Sequence, residues 1–87
     1  MVAVTMAGYH EANIPKGVFG ERSKIEEELA ELIDAERQGV RIMAMCELAD
    51  LYGALVEYAE RKYGLSEEDL GHMAHITARA FQEGQRK

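Results

Sequence analysis

At 87 residues, 47% hydrophobic and 30% charged, the chain has the composition of one globular domain near the lower size limit for a self-sufficient core. Its 16 acidic and 10 basic side chains leave a net charge of -6, so its average field repels nucleic-acid polymers. No run of about 18 uncharged apolar residues addresses a membrane, the opening MVAVTMAGYH lacks the basic start of a secretory signal, and Cys46 alone cannot form an internal disulfide, which together suggest a reducing, cytoplasmic setting.

Residues 1–22 read as an irregular leading segment, because they hold the single proline, Pro15, together with Gly8, Gly17 and Gly20. The β-branched cluster from Val2 to Thr5 is too short to found a sheet, and His10 supports nothing specific. A first helix is expected over about 23–38, opened by a capping box of Ser23 and Glu26 and closed at Gly39. A second follows over about 40–63 and ends at Gly64. A third, over about 66–84, takes Ser66 as N-cap with Glu67, Glu68 and Asp69 in its first turn. The short link at Gly39 favours an antiparallel pair. The expected fold is therefore all-α: one domain over residues 1–87, a helical hairpin plus a third helix. A chain this short gains stability from self-association or a bound metal, so an oligomer is expected.

In the first helix Ile25, Leu29, Leu32 and Ile33 fall within an arc of roughly 100° and make the expected core face. Lys24, Glu28, Glu31 and Ala35 form a second column beside it, with Glu26, Glu27 and Asp34 placed less distinctively. Alone, that column also fits a solvated acidic flank with a Lys24–Glu28 pair. The second helix is more informative: from Ile42 to Val56 its charged groups are Glu47 and Asp50, three positions apart. Such a helix is expected to be largely buried, and two acids on one side of it call for a cation. In an antiparallel hairpin Glu28 and Glu31 face Glu47 and Asp50, an oxygen cage suited to Mg²⁺ or Mn²⁺. The competing account has Glu47 and Asp50 bonded to backbone or water at a subunit interface.

Glu28-Leu-Ala-Glu31 followed by Glu47-Leu-Ala-Asp50 resembles the signature of the MazG-like, all-α nucleoside triphosphate pyrophosphohydrolases: Glu-x-x-Glu, a spacer, then Glu-x-x-Asp. The similarity runs from about Ile14 to Phe81, and the stretch from Pro15 to Glu27 looks like short single-domain members, including phage-encoded ones. The resemblance implies a helical homodimer or homotetramer with Mg²⁺ on Glu28, Glu31, Glu47 and Asp50, and Mn²⁺ as a substitute. It further implies water attack on the α phosphorus of a nucleoside or deoxynucleoside triphosphate, releasing monophosphate and pyrophosphate, with Glu27 or Glu28 taking the water proton. A triphosphate also needs basic partners: Lys24 comes first, then Arg79, Lys16 and Arg22. Where relatives often carry a lysine in the third helix, this chain has His72 and His75.

Three other readings compete. Asp69, His72 and His75 are spaced by three and suit a transition metal, whereas a ferritin-like di-iron site lacks its Glu-x-x-His motifs here. Tyr52, Tyr58, Tyr63, Met43, Met45 and Met73 suit a non-enzymatic self-association or interaction module, although at helical spacing such residues are more often core. A hydrolase of another pyrophosphate-containing nucleotide, such as phosphoribosyl-ATP, is the nearest alternative activity. Base preference stays open, with Tyr9, Phe19 and Tyr52 as candidates for stacking.

Overall fold

Three α-helices and no strand make up the described part of the computed structural model, residues 10–84: α1 (Arg22–Gln38), α2 (Arg41–Tyr63) and α3 (Glu67–Gln82). Val2 to Thr5, Tyr9 and the first nine residues of the leading segment lie outside the described residues.

α1 ends where Gly39 takes a left-handed φ of 74° and its N–H returns to the Glu36 carbonyl, and α2 begins two residues later. The helices then pack antiparallel. Glu28 meets Asp50, Glu31 meets Glu47, and Ala35 meets Met43, each pair equidistant in sequence from Gly39. α2 ends at Gly64, φ 68°, where the N–H groups of Gly64 and Leu65 reach the carbonyls of Glu60 and Ala59. Ser66 caps α3 as expected, its hydroxyl accepting from the Asp69 N–H at 3.0 Å. α3 contacts α2, with a Tyr52 hydroxyl donating to Glu67, but contributes no buried residue.

The start of α1 departs from the capping-box expectation. The N-cap position is held by Glu21 with no side-chain bond, which places Ser23 already inside the first turn. Its hydroxyl accepts from the Val18 N–H at 3.0 Å, and Glu26 pairs with Arg22 at the surface. The leading segment displaces the local cap because it lies directly on this turn. At Gly17 an added Cβ would stand 2.3 Å from the Ser23 carbonyl oxygen, so only glycine allows the approach.

The expected core face also turns out differently. Leu29 and Ile33 are exposed, Ile25 and Leu32 half-buried, and α1 instead buries Glu27, Glu28, Asp34 and Ala35 against its neighbours. α2 is likewise less enclosed than its composition suggests: Met43 and Ala54 are buried, whereas Ile42, Met45 and Leu48 are more than half exposed. A two-helix hairpin has one inner face, and here the acids occupy it. The apolar core is small: Ala35 and Met43, backed by Ala44 and the half-buried Cys46, with Ala54 and Ala59 buried further along α2. With so small a core, Met43→Ala is expected to cost about 2–5 kcal/mol, seen as an earlier urea midpoint. A variant unfolding at the wild-type midpoint would place the core elsewhere.

Candidate metal centre

Three elements converge on one acidic cluster. α1 supplies Glu27, Glu28 and Glu31, α2 supplies Glu47 and Asp50, and the leading segment supplies His10. Ligand atoms of Glu28, Glu47 and Asp50 lie within 4.8 Å of one another, as do those of Glu27, Glu28 and Glu31, and those of His10, Glu31 and Glu47. Glu28, Glu31 and Glu47 each belong to two of these groups, so the cluster is continuous. The four carboxylates expected from the paired motifs are thereby brought together.

Their electrostatics are those of an under-neutralised site. Glu28 and Glu47 are 5% and 3% exposed, and one oxygen of each, Oε1, is buried without a hydrogen-bond partner. Burial, then the charge of Glu28 and hydrogen bonds with Glu47 and Glu28, push the Glu31 carboxyl up to about 8. Asp50, at the rim, is raised for similar reasons: loss of hydration, then the charges of Glu28 and Glu47, partly offset by Lys24. An orphaned buried carboxylate oxygen is costly unless a cation meets it, and an all-oxygen donor set is what a hard divalent ion takes. The residues present therefore fit Mg²⁺ or Mn²⁺.

Two cationic side chains answer part of this charge. Lys24 Nζ sits 3.1 Å from Glu27 Oε1 and 3.0 Å from Glu28 Oε2, and although burial opposes its charge, these contacts raise its pKa. His10 Nε2 lies 3.0 Å from Glu47 Oε2 and 3.9 Å from Glu31 Oε1, while Nδ1 lies 2.9 Å from Asp34 Oδ2. Burial again works against the charged ring, and again the Asp34 and Glu47 hydrogen bonds outweigh it and raise the pKa. Asp34 also accepts from the N–H groups of Glu11 and Ala12 and from Gln38, and its carboxyl is held below the usual range, first by His10.

Glu27 plays a different part from its neighbours. Its Oε1 accepts from the Gly17 N–H at 2.9 Å and from Lys24, and Oε2 faces Lys16 at 3.6 Å. Burial opposes its charge, but these donors hold its pKa below the ordinary range. It fastens the leading segment to α1.

Beside the cluster opens a cleft of about 380 Å³, lined by Phe19, Lys24, Glu28, Asp50 and the small residues Ala49, Gly53 and Ala54. Of the basic residues expected at phosphate, Lys24 lines this cleft. Lys16 reaches Glu27 from an 83% exposed position, Arg22 pairs with Glu26 and borders a different cavity with Tyr58 and Arg61, and Arg79 pairs with Glu83 on α3. Asp69, His72 and His75 are not among the groups of ligand atoms that come together in the described residues.

His10 and Asp34 were missed by sequence reasoning. Their contacts span 24 and 37 positions, and neither residue belongs to a motif, so no local signal announced them.

No known protein family, no curated protein and no solved structure matches the chain. No described helix is long and apolar enough to cross a membrane.

The raised Glu31 pKa sets a direction for pH. Between the ordinary glutamate range near 4.5 and about 8 the folded state holds a proton that the unfolded chain has released, so metal-free stability falls as pH rises through that window. His10 adds to the decline above 6.5, because its raised pKa favours the fold only while it is protonated. Melting temperatures in EDTA from pH 5 to 9 are expected to drop, and Glu31→Gln is expected to flatten the curve. An equal slope in that variant would remove Glu31 as the cause.

Proposed function

We propose that this chain is a magnesium-dependent nucleotide pyrophosphohydrolase, cleaving a nucleoside or deoxynucleoside triphosphate between its α and β phosphates. The carrying observation is the continuous carboxylate cluster with two buried, unpartnered oxygens beside a cleft of about 380 Å³. That volume is within the ordinary range for a small-molecule site. The resemblance of the paired motifs supports the choice of bond.

Glu28, Glu31, Glu47 and Asp50 are the carboxylates that would hold the ion. When bound, Mg²⁺ neutralises phosphate oxygens and lowers the pKa of a coordinated water. Lys24, already at the cleft, adds an ammonium for the phosphate chain, and the Phe19 ring offers a stacking surface for the base. Between the two glutamates considered as proton acceptor, Glu27 has its oxygens engaged by Gly17, Lys24 and Lys16, whereas Glu28 keeps one unpartnered oxygen. That same oxygen is the one left to a bound ion, since Oε2 faces Lys24 at 3.0 Å, so the proton acceptor stays Glu27 or Glu28. Arg22 and Arg79 have no place at this cleft within one chain.

The same proposal includes assembly as a homodimer or homotetramer in the cytoplasm. Exposed Leu29, Ile33, Ile42, Met45 and Leu48 support self-association, since a solvated stripe of this kind gains by being covered. Those faces also favour the interaction-module reading, and Mg²⁺ separates the two. At about 100 times its dissociation constant an ion bound only by the folded state adds roughly 2.7 kcal/mol, so Mg²⁺ is expected to raise the melting temperature. A pure interaction module is indifferent to it.

Incubation with Mg²⁺ and a panel of triphosphates in ¹⁸O-labelled water is expected to give labelled nucleoside monophosphate and unlabelled pyrophosphate. Label in orthophosphate would overturn the mechanism. Glu47→Gln and Asp50→Asn are each expected to lose more than about 100-fold in rate with helices intact, while the exposed Glu60→Gln retains activity. If neither a triphosphate nor phosphoribosyl-ATP reacts, the interaction module is the better account.

A further inference from the structure

The carboxylate cluster has a nitrogen at one end, and its setting is that of a ligand. Imidazoles that bind metals almost always give their other ring N–H to a carboxylate, which fixes the tautomer and aims the free lone pair. His10 is built this way: Nδ1 lies 2.9 Å from Asp34 Oδ2, and Asp34 is itself held by the N–H groups of Glu11 and Ala12 and by the Gln38 amide. With Nδ1–H committed to Asp34, Nε2 faces Glu47 Oε2 at 3.0 Å, to which it donates while it carries a proton, and Glu31 Oε1 at 3.9 Å. A cation placed among these three groups would take the position of the proton that Nε2 shares with Glu47, leaving the ring nitrogen free to act as a ligand.

The spacing suits an ion. Two ligand atoms each about 2.1 Å from one metal stand about 3.0 Å apart at a right angle and about 3.4 Å apart at the tetrahedral angle. Independently, Glu47 is 3% exposed and its Oε1 has no partner, so this carboxylate has an oxygen to spare beyond the one facing His10. Glu47 is also common to the His10–Glu31–Glu47 and Glu28–Glu47–Asp50 groups.

We propose that His10 is a metal ligand: with Glu31 and Glu47 it forms a nitrogen-containing position next to the all-oxygen position of Glu28, Glu47 and Asp50, so that each chain binds two cations bridged by Glu47. The proposal rests on the metal-binding reading above and adds to it the ion number, the ligand from the leading segment and a difference between the two positions. Imidazole shifts preference away from Mg²⁺, so the His10 position favours Mn²⁺ or Zn²⁺ while the carboxylate position accepts Mg²⁺. Occupancy also fastens the leading segment to the hairpin, because Nε2 and the Asp34 bracket then hold it from both sides.

The test uses the full chain and Mn²⁺ alone. Titration followed by electron paramagnetic resonance is expected to show two bound ions per chain, and pulsed electron spin-echo spectra should carry a ¹⁴N modulation that changes to the ¹⁵N pattern when histidine is ¹⁵N-labelled. This isotope exchange needs no variant. His10→Gln, checked for unchanged helical circular dichroism, is expected to lose the modulation and weaken one of the two ions by at least about 10-fold. Asp34→Asn, which leaves His10 in place but loosens its backing, should weaken the same ion less. Bound Mn²⁺ with no nitrogen modulation, or two ions of wild-type affinity in His10→Gln, would overturn the role of His10 while leaving the carboxylate centre standing. If the wild-type chain binds no Mn²⁺, both the centre and the role of His10 fall.

Discussion

Repulsion among carboxylates held between two helices is the constraint that the other parts of this structure answer. At an effective dielectric of about 20, two such charges about 4 Å apart oppose each other by roughly 4 kcal/mol. The leading segment is the counterweight. Through Gly17 N–H it reaches Glu27, through the Glu11 and Ala12 N–H groups it reaches Asp34, and through His10 it reaches Glu47. A stretch without regular secondary structure is thus positioned by the acids it neutralises. Lys24 supplies a further positive charge from inside α1, and the proton retained on Glu31 removes one of the negative ones.

Turning the acids inward dictates where the apolar side chains go. On α1 the buried side carries Glu28 toward α2 and Glu27 and Asp34 toward the leading segment, leaving Leu29 and Ile33 outward. The buried apolar pair of Ala35 and Met43 lies near the turn, and further along α2 the small side chains of Ala54 and Ala59 are buried. One chain therefore has an interior suited to chemistry and an exterior suited to packing.

What could be read in advance follows from how local each cause is. Gly39, Gly64 and Ser66 mark helix ends through backbone conformation and bonds a few residues away, and all three act as their types suggest. The four motif carboxylates were legible because their spacing and the Gly39 turn jointly put them on facing sides. Ser23 failed as a cap because the helix starts earlier, with Glu21 at the N-cap position, and the Val18 N–H of the preceding turn claims the Ser23 hydroxyl. Periodicity identified the stripe of Ile25, Leu29, Leu32 and Ile33 correctly as apolar, but a period does not say what covers a face. His10 and Asp34 were illegible for the plainest reason: their partnership is purely tertiary, between residues with nothing local in common.

The turn at Gly39 makes the hairpin a ruler as well as a fold. Because Glu28 with Asp50, Glu31 with Glu47 and Ala35 with Met43 are centred on one glycine, with only Val40 between it and α2, there is no slack to absorb a change of length. One residue gained inside either helix slides its far part by about 1.5 Å and rotates it by about 100°, which carries a carboxylate from the inner side to the flank. The damage would fall on every pair beyond the change together. Substitutions on the outer faces have no such reach. Drift in composition is thus tolerated over much of the surface of this hairpin, whereas the distance between its two acidic motifs is quantised by the helix.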